Sequence, residues 1–220
     1  MTRKQRNILN FLALLFLLIV LPVAALYFLD MGVDYRKELL AELGDHGQAP
    51  EFSLVSVNGD TINQNSLKNH IALVNFMGFN QGSLQEDVKG QSLKKLNGQF
   101  GDREEVIFLN FISKSASDSL DFINVRSFLE SNELETCEKC YFVFAGKSEM
   151  ESLATDGFGM TFENGMNVLN NASLALCDKT GTIKRYYNLE DKADEQLLVR
   201  HVIMFLPAGE GREGDFEIIE

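Results

Sequence analysis

Histidine and cysteine, the side chains that most often carry metal and redox chemistry, are scarce here: three of each in 220 residues. His46, His70 and His201 each stand without a partner at ligand spacing, so no metal site is readable from them. A zinc site on Cys137 and Cys140 would want two further ligands, and Cys177 is the only other thiol. Positive charge is short as well, with 20 Lys and Arg against 32 Asp and Glu. Such a surface repels phosphate backbones, which argues against a nucleic-acid partner. Charge of either sign is missing altogether from residues 7 to 29, and no internal repeat is present.

That uncharged stretch is the first positive feature. Ile8 to Leu29 reads ILNFLALLFLLIVLPVAALYFL, interrupted only by Asn10 and Pro22. A helix needs about 20 such residues to cross the hydrocarbon core. Pro22 is tolerated in a membrane helix, and Tyr27 suits the interface. The run exceeds the apolar core of a cleaved signal peptide, and no small-x-small site follows it. No cysteine stands just after it to carry a lipid. Arg3, Lys4 and Arg6 precede the run, whereas Asp30 and Asp34 follow it. The Lys/Arg bias keeps the head in the cytoplasm and predicts a single-pass inner-membrane protein with a periplasmic domain. The chain sums to −12 while its head carries +3, so the remainder holds −15.

The expected organisation is a cytoplasmic head (1–7), a transmembrane helix (8–29), a linker (30–48), a folded domain (49–207) and an acidic tail (208–220). The linker is expected to be helical through Tyr35–Leu43 and broken at Gly44 and Gly47. About 190 residues outside the membrane suit one domain with a substantial core. Phe52–Val57 alternates as a strand should, Asn58-Gly59 is a hairpin turn, and Thr61–Asn63 returns. The nearly continuous apolar runs Ile71–Met77 and Val106–Ile112 predict strands covered on both faces. Tyr141–Ala145 is a third such strand. Helical spacing marks Ser83–Phe100, Ser117–Leu129, a start at Ser148–Leu153, and Asp194–Phe205. Ser173–Cys177 and Thr182–Tyr187 form a hairpin around Lys179-Thr180-Gly181. Strands alternating with helices predict a mainly parallel α/β sheet with helices on both faces. The closing hairpin and helix specify a thioredoxin-like arrangement.

Several segments carry a resemblance. Ala49-Pro-Glu-Phe-Ser-Leu54, Asn58-Gly59-Asp60, Leu67-Lys68-Asn69 and Ile71–Phe76 are similar to the opening of Sco/SenC proteins and their peroxiredoxin-like relatives. Phe111–Leu120 resembles their strand, loop and helix start. Tyr141–Gly146 resembles their strand ending in glycine, and Ala175–Gly181 their strand-Asp-x-x-Gly hairpin. The match covers about residues 49 to 207. Sco proteins are thioredoxin-fold copper carriers that help assemble cytochrome oxidase. Their ligands are a Cys-x-x-x-Cys after the first central strand and a His before the last hairpin. Thiolates and imidazole suit copper and amides do not. Here the corresponding positions fall on or near Gln81, Gln85 and Asn170-Asn171. The resemblance therefore implies a degenerate member with no copper, no other cofactor and no catalytic residue.

Two functions from different classes follow. One is a non-catalytic binding or assembly module, held by Ile8–Leu29 beside a protein partner in a membrane complex, such as a respiratory oxidase. The other is an extracytoplasmic thiol oxidoreductase using Cys137 and Cys140, with residual copper carriage a third reading. The CxxC at Cys137–Cys140 could be a redox pair, half a metal site or a structural disulfide. It precedes a strand, whereas a redox CxxC usually begins a helix, which lowers thiol pKa. Cys177 is expected about three strands away, near 14 Å, too far for a bond to either, and is expected to be a small buried apolar residue. Met150, Met160 and Met166 suit either a soft-metal patch or core packing.

Overall fold

The computed structural model describes residues 3–77, 79–80, 83–84, 87–113, 118–160, 162–163, 166–167 and 174–207. It forms two units, Met1–Glu42 and Leu43–Glu220.

The first unit is one helix, α1 (Arg3–Ala41), with Pro22 inside it. It is long and apolar enough to cross a membrane. No break separates the apolar run from the polar turns after it, so the helix expected at Tyr35–Leu43 is the end of α1. Pro22 stands mid-helix, where proline removes one backbone hydrogen bond and is costly in a soluble helix, whereas membrane-spanning helices tolerate it.

The second unit is built on a five-stranded sheet. Its elements run β1 (Ser53–Val55), β2 (Thr61–Asn63), a 3-10 turn (Gln64–Leu67), β3 (Ile71–Met77), β4 (Phe79–Asn80), β5 (Ser83–Leu84) and α2 (Asp87–Phe100). Then follow β6 (Val106–Ser113), α3 (Asp118–Ser131), β7 (Cys140–Ala145), α4 (Lys147–Ser152) with a π turn (Leu153–Gly157), β8 (Phe162–Glu163) and β9 (Met166–Asn167). The chain closes with β10 (Leu174–Cys177), β11 (Ile183–Tyr187) and α5 (Lys192–Phe205). The sheet order is β11-β10-β3-β6-β7. β3, β6 and β7 are parallel, and β10 runs antiparallel to both β3 and β11. Helix α2 starts later than the spacing from Ser83 predicts, because Ser83–Leu84 pairs with Phe79–Asn80 as a small hairpin.

Both faces of the sheet are covered, which is why β3 and most of β6 read as apolar without alternation. On one face Leu73, Met77, Phe108 and Ile112 pack with Leu96 and Phe100 of α2, Val125 and Phe128 of α3, and Leu198 and Val202 of α5. On the other, Val74, Phe76, Leu109 and Phe111 pack with Met150 of α4, Ala154 and Phe158. Phe76 and Phe111 stack at 4.9 Å between centroids, and Phe52 meets Phe111 edge-on at 5.3 Å. Met150 and Met160 belong to this core, the packing role left open by the sequence.

Residues 44–57 act as a belt. Gly44 N and His46 N donate to Lys184 O and Ile183 O, both at 2.9 Å, and Ile183 N donates back to Gly47 O at 2.8 Å. The stretch expected as linker up to residue 48 thus runs along the edge of β11, with an isolated bridge between Gln48 and Thr182. The belt then crosses the second face through Leu54 and reaches the opposite edge, where Val57 N donates to Phe142 O of β7 at 2.8 Å. Exposed sheet edges invite pairing with other chains, and the belt covers part of each.

Candidate functional site

Topology defines the edge where a site can form. β3 and β6 are parallel, and β10 begins opposite Asn75, since Leu174 pairs with it. The segments that follow Met77 and Ser113 and the one that precedes Leu174 therefore leave the sheet at the same edge. In open α/β sheets ligands bind outside the carboxyl ends of the strands. Gln81, Gln85 and Asn171 belong to these segments and lie outside the described residues. Their sequence still carries chemical information: 78–86, 114–117 and 168–173 contain neither cysteine nor histidine.

Beneath this edge lies a polar feature that the sequence reading missed. Asn75 and Asn110 are register partners on β3 and β6, and both are fully buried. Asn75 Nδ2 donates to Asn110 Oδ1 at 3.3 Å. Asn75 Oδ1 and Asn110 Nδ2 have no hydrogen-bond partner. Their row continues to Leu174 on one side and Phe142 on the other, so their surroundings are apolar. A buried amide atom without a partner costs about 1–3 kcal/mol. The signal was legible: Val-Asn-Phe at 74–76 and Leu-Asn-Phe at 109–111 place one asparagine at the same point of two apolar strands.

The thiols are elsewhere. Cys137 and Cys140 are joined by a disulfide, with Cα atoms 5.4 Å apart. Cys140 faces Phe108 near the amino end of β6. From Phe108 to Ser113 the strand rises about 16 Å at roughly 3.3 Å per residue, so the disulfide sits at the opposite edge of the sheet. It closes a turn in which Cys140 N donates to Cys137 O at 3.4 Å; it does not start a helix. Cys137 is partly exposed and Cys140 buried. Cys177 is a fully buried free thiol, three strands from β7 as expected. Burial, with the nearby Asp178 carboxylate, pushes its pKa up to about 12, so it stays protonated and unreactive at neutral pH.

The histidines are dispersed. His201 of α5 is fully buried, its Nδ1 2.7 Å from Tyr187 Oη on β11. His46 lies against the ring of Tyr186, 5.1 Å between centroids. His70 Nδ1 is 3.1 Å from Lys68 O, ahead of β3. No group of three or more metal-ligand side chains occurs among the described residues. Asp178 opens the turn between β10 and β11, its backbone carbonyl accepting from Gly181 N at 2.9 Å. Its Oδ1 accepts from Thr180 N at 2.8 Å, Thr180 Oγ1 at 2.6 Å and Thr182 N at 3.1 Å, and Lys184 Nζ is 3.4 Å from its Oδ2. Partial burial raises its pKa, but these hydrogen bonds and Lys184 outweigh that and hold it below the usual value.

No protein-family model and no curated protein sequence matches the chain. Solved structures do. A SCO1/SenC family lipoprotein from Bacillus anthracis superposes with a TM-score of 0.58 at 16% identity, covering 72% of this chain and 94% of that one. BsSco, described as a member of the Sco family of cytochrome c oxidase assembly proteins, gives 0.56 at 17% identity, covering 71% and 92%. The fold is thioredoxin-like. The thioredoxin domain of a thiol-disulfide oxidoreductase from Bacteroides vulgatus also superposes, with a TM-score of 0.50 at 13% identity over 74% of this chain and 99% of that one. The Sco/SenC likeness read from short segments thus extends to the whole thioredoxin-like domain, as a likeness of fold.

Proposed function

We propose that this protein is a membrane-anchored, extracytoplasmic thioredoxin-like module of the Sco type that binds a protein partner at the membrane and has no thiol or copper chemistry of its own. One observation carries the reading. The segments that follow β3 and β6 and precede β10 contain no cysteine or histidine, while the disulfide lies at the other edge of the sheet. Carboxamides neither hold copper nor exchange disulfides. Gln81, Gln85 and Asn171 then supply a polar binding surface. Arg3, Lys4 and Arg6 ahead of the apolar helix support a cytoplasmic head and a periplasmic domain. BsSco assists cytochrome c oxidase assembly, which motivates a respiratory complex as the partner.

The test is gentle detergent extraction of the tagged protein and identification of the membrane complex that copurifies. Recovery of no partner counts heavily against the reading. Copper titration of the soluble fragment 31–220 separates it from copper carriage, with no stoichiometric tight binding expected.

A thiol oxidoreductase using Cys137 and Cys140 is the second reading, favoured by the partial exposure of Cys137. Against it, attack on Cys137 must expel a Cys140 thiolate into an apolar core, and a buried thiolate is a poor leaving group. Thiol trapping in cells distinguishes the two. A pair found permanently oxidised, with disulfide exchange unaffected in Cys137→Ser, excludes the enzyme.

A further inference from the structure

Asparagine followed by glycine is chemically labile, because glycine has no side chain to shield its amide nitrogen from the neighbouring carboxamide. The chain contains this pair three times, at Asn58-Gly59, Asn97-Gly98 and Asn164-Gly165. Asn164 and Gly165 lie outside the described residues. The other two pairs sit in opposite settings. Asn97 and Gly98 are inside α2, where helical backbone holds ψ at about −42° and bonds each amide to a carbonyl four residues back. Ring closure onto the asparagine Cγ requires both to be given up. The turns around this pair also anchor Leu96 and Phe100 in the core. Asn58 and Gly59, by contrast, are exposed. They join β1 to β2, a hairpin of only three residue pairs, and a hairpin that short adds little stability of its own. Gly59 N donates to Ser56 O at 3.0 Å, and releasing that one bond frees the nitrogen.

We infer that Asn58 is a site of spontaneous deamidation through a succinimide, and that its isoaspartate product uncovers the β7 edge of the sheet. The step balances. Gly59 N gives up its proton to water or hydroxide and bonds to Asn58 Cγ. The Cγ–Nδ2 bond breaks, and Nδ2 leaves as ammonia with a proton from solvent. Water then opens the ring. Breaking the new Cγ–N bond gives aspartate, and breaking the original peptide bond gives isoaspartate, whose main chain runs through Cβ and Cγ. One water is consumed, one ammonia is released, and nothing is oxidised or reduced. The extra main-chain carbon falls inside a loop closed by Ser56 N donating to Asp60 O at 2.8 Å and Asp60 N donating to Ser56 Oγ at 3.1 Å. Within the same loop Val57 N holds the belt on β7 through Phe142 O at 2.8 Å, beside the bridge between Ser56 and Val143. The lengthened loop cannot keep both closures. The belt lifts from β7 and leaves a bare strand edge, which invites pairing with another chain. None of this depends on the binding-module reading.

The test ages full-length protein in neutral detergent and mildly alkaline buffer. Mass-spectrometric peptide mapping follows each asparagine, and an isoaspartyl methyltransferase scores the isoaspartate. Asn58 is expected to convert at least about tenfold faster than Asn97, since an exposed turn opens far more often than a core helix. Hydrogen exchange at the Val57 amide is expected to be about tenfold faster in the isoaspartate fraction than in fresh protein. Asn58→Ser, aged in the same way, is expected to keep the fresh exchange rate, which separates the modification from general damage. Asn97 converting as fast as Asn58, or Asn58 persisting while an isolated peptide of residues 53–63 converts, overturns the site. Unchanged Val57 exchange in the isoaspartate fraction overturns its structural consequence.

Discussion

Replacing Asn75 and Asn110 with valine, singly and together, probes the polar feature beneath the candidate site. Valine is the nearest apolar residue in size that favours strands. In the native pair one hydrogen bond of 3.3 Å is made and two amide atoms are left without partners. Asn75→Val removes the bond and leaves Asn110 with both of its amide atoms unpartnered. The number of orphaned atoms is unchanged, so each single variant loses about 1 kcal/mol, the net worth of one hydrogen bond. The double variant has no orphan. Relief of two penalties of about 1–3 kcal/mol each, less the lost bond, makes it more stable than the native domain by about 3 kcal/mol. For a domain of this size that raises the melting temperature by roughly 6–12 °C. Urea unfolding of fragment 31–220, followed by circular dichroism, measures all three variants. Additive effects, or a double variant weaker than either single, refute the reasoning. A stabilised double variant that no longer recovers the membrane partner would further mark the pair as retained for binding.

Two other perturbations have worked signs. Cys137→Ser with Cys140→Ser is expected to cost about 2 kcal/mol in urea unfolding, the low end of the disulfide range, because the loop closed is short. An effect near zero would mean the turn is held by its backbone hydrogen bonds alone. Asp178 has a folded-state pKa held below its ordinary 3.8. Its contribution is therefore present above the unfolded value and is lost as pH falls through the lower folded value. Acid titration of stability should show a shallower acid limb in Asp178→Asn than in the native domain, and identical limbs would contradict this assignment.

Particular residues show how far the sequence could be read. Thr61–Asn63 and Ile71–Met77 have the bounds that alternation and apolar run length predict. The start of α2 was not readable, because Ser83 and Leu84 satisfy helical spacing equally well while pairing with Phe79–Asn80. The belt was invisible for a related reason. Gly44–Gln48 is polar and rich in glycine, which reads as linker, and only the edge of β11 gives its backbone groups partners. Asn75 and Asn110 stood in plain view, yet neither means anything until parallel pairing brings them into one row.

The sequence by itself determined the apolar helix, the charge asymmetry across it, the alternation of strands and helices, and the absence of thiol and imidazole from the segments after β3 and before β10. These depend on composition and local periodicity, which need no partner elsewhere in the chain. Tertiary structure alone decided which edge those segments share, that the disulfide lies at the other, that Cys140 is buried while Cys137 is half-buried, and that two distant asparagines meet. Each of these depends on strand order and register, and contacts between residues far apart in sequence come into being only when the sheet assembles.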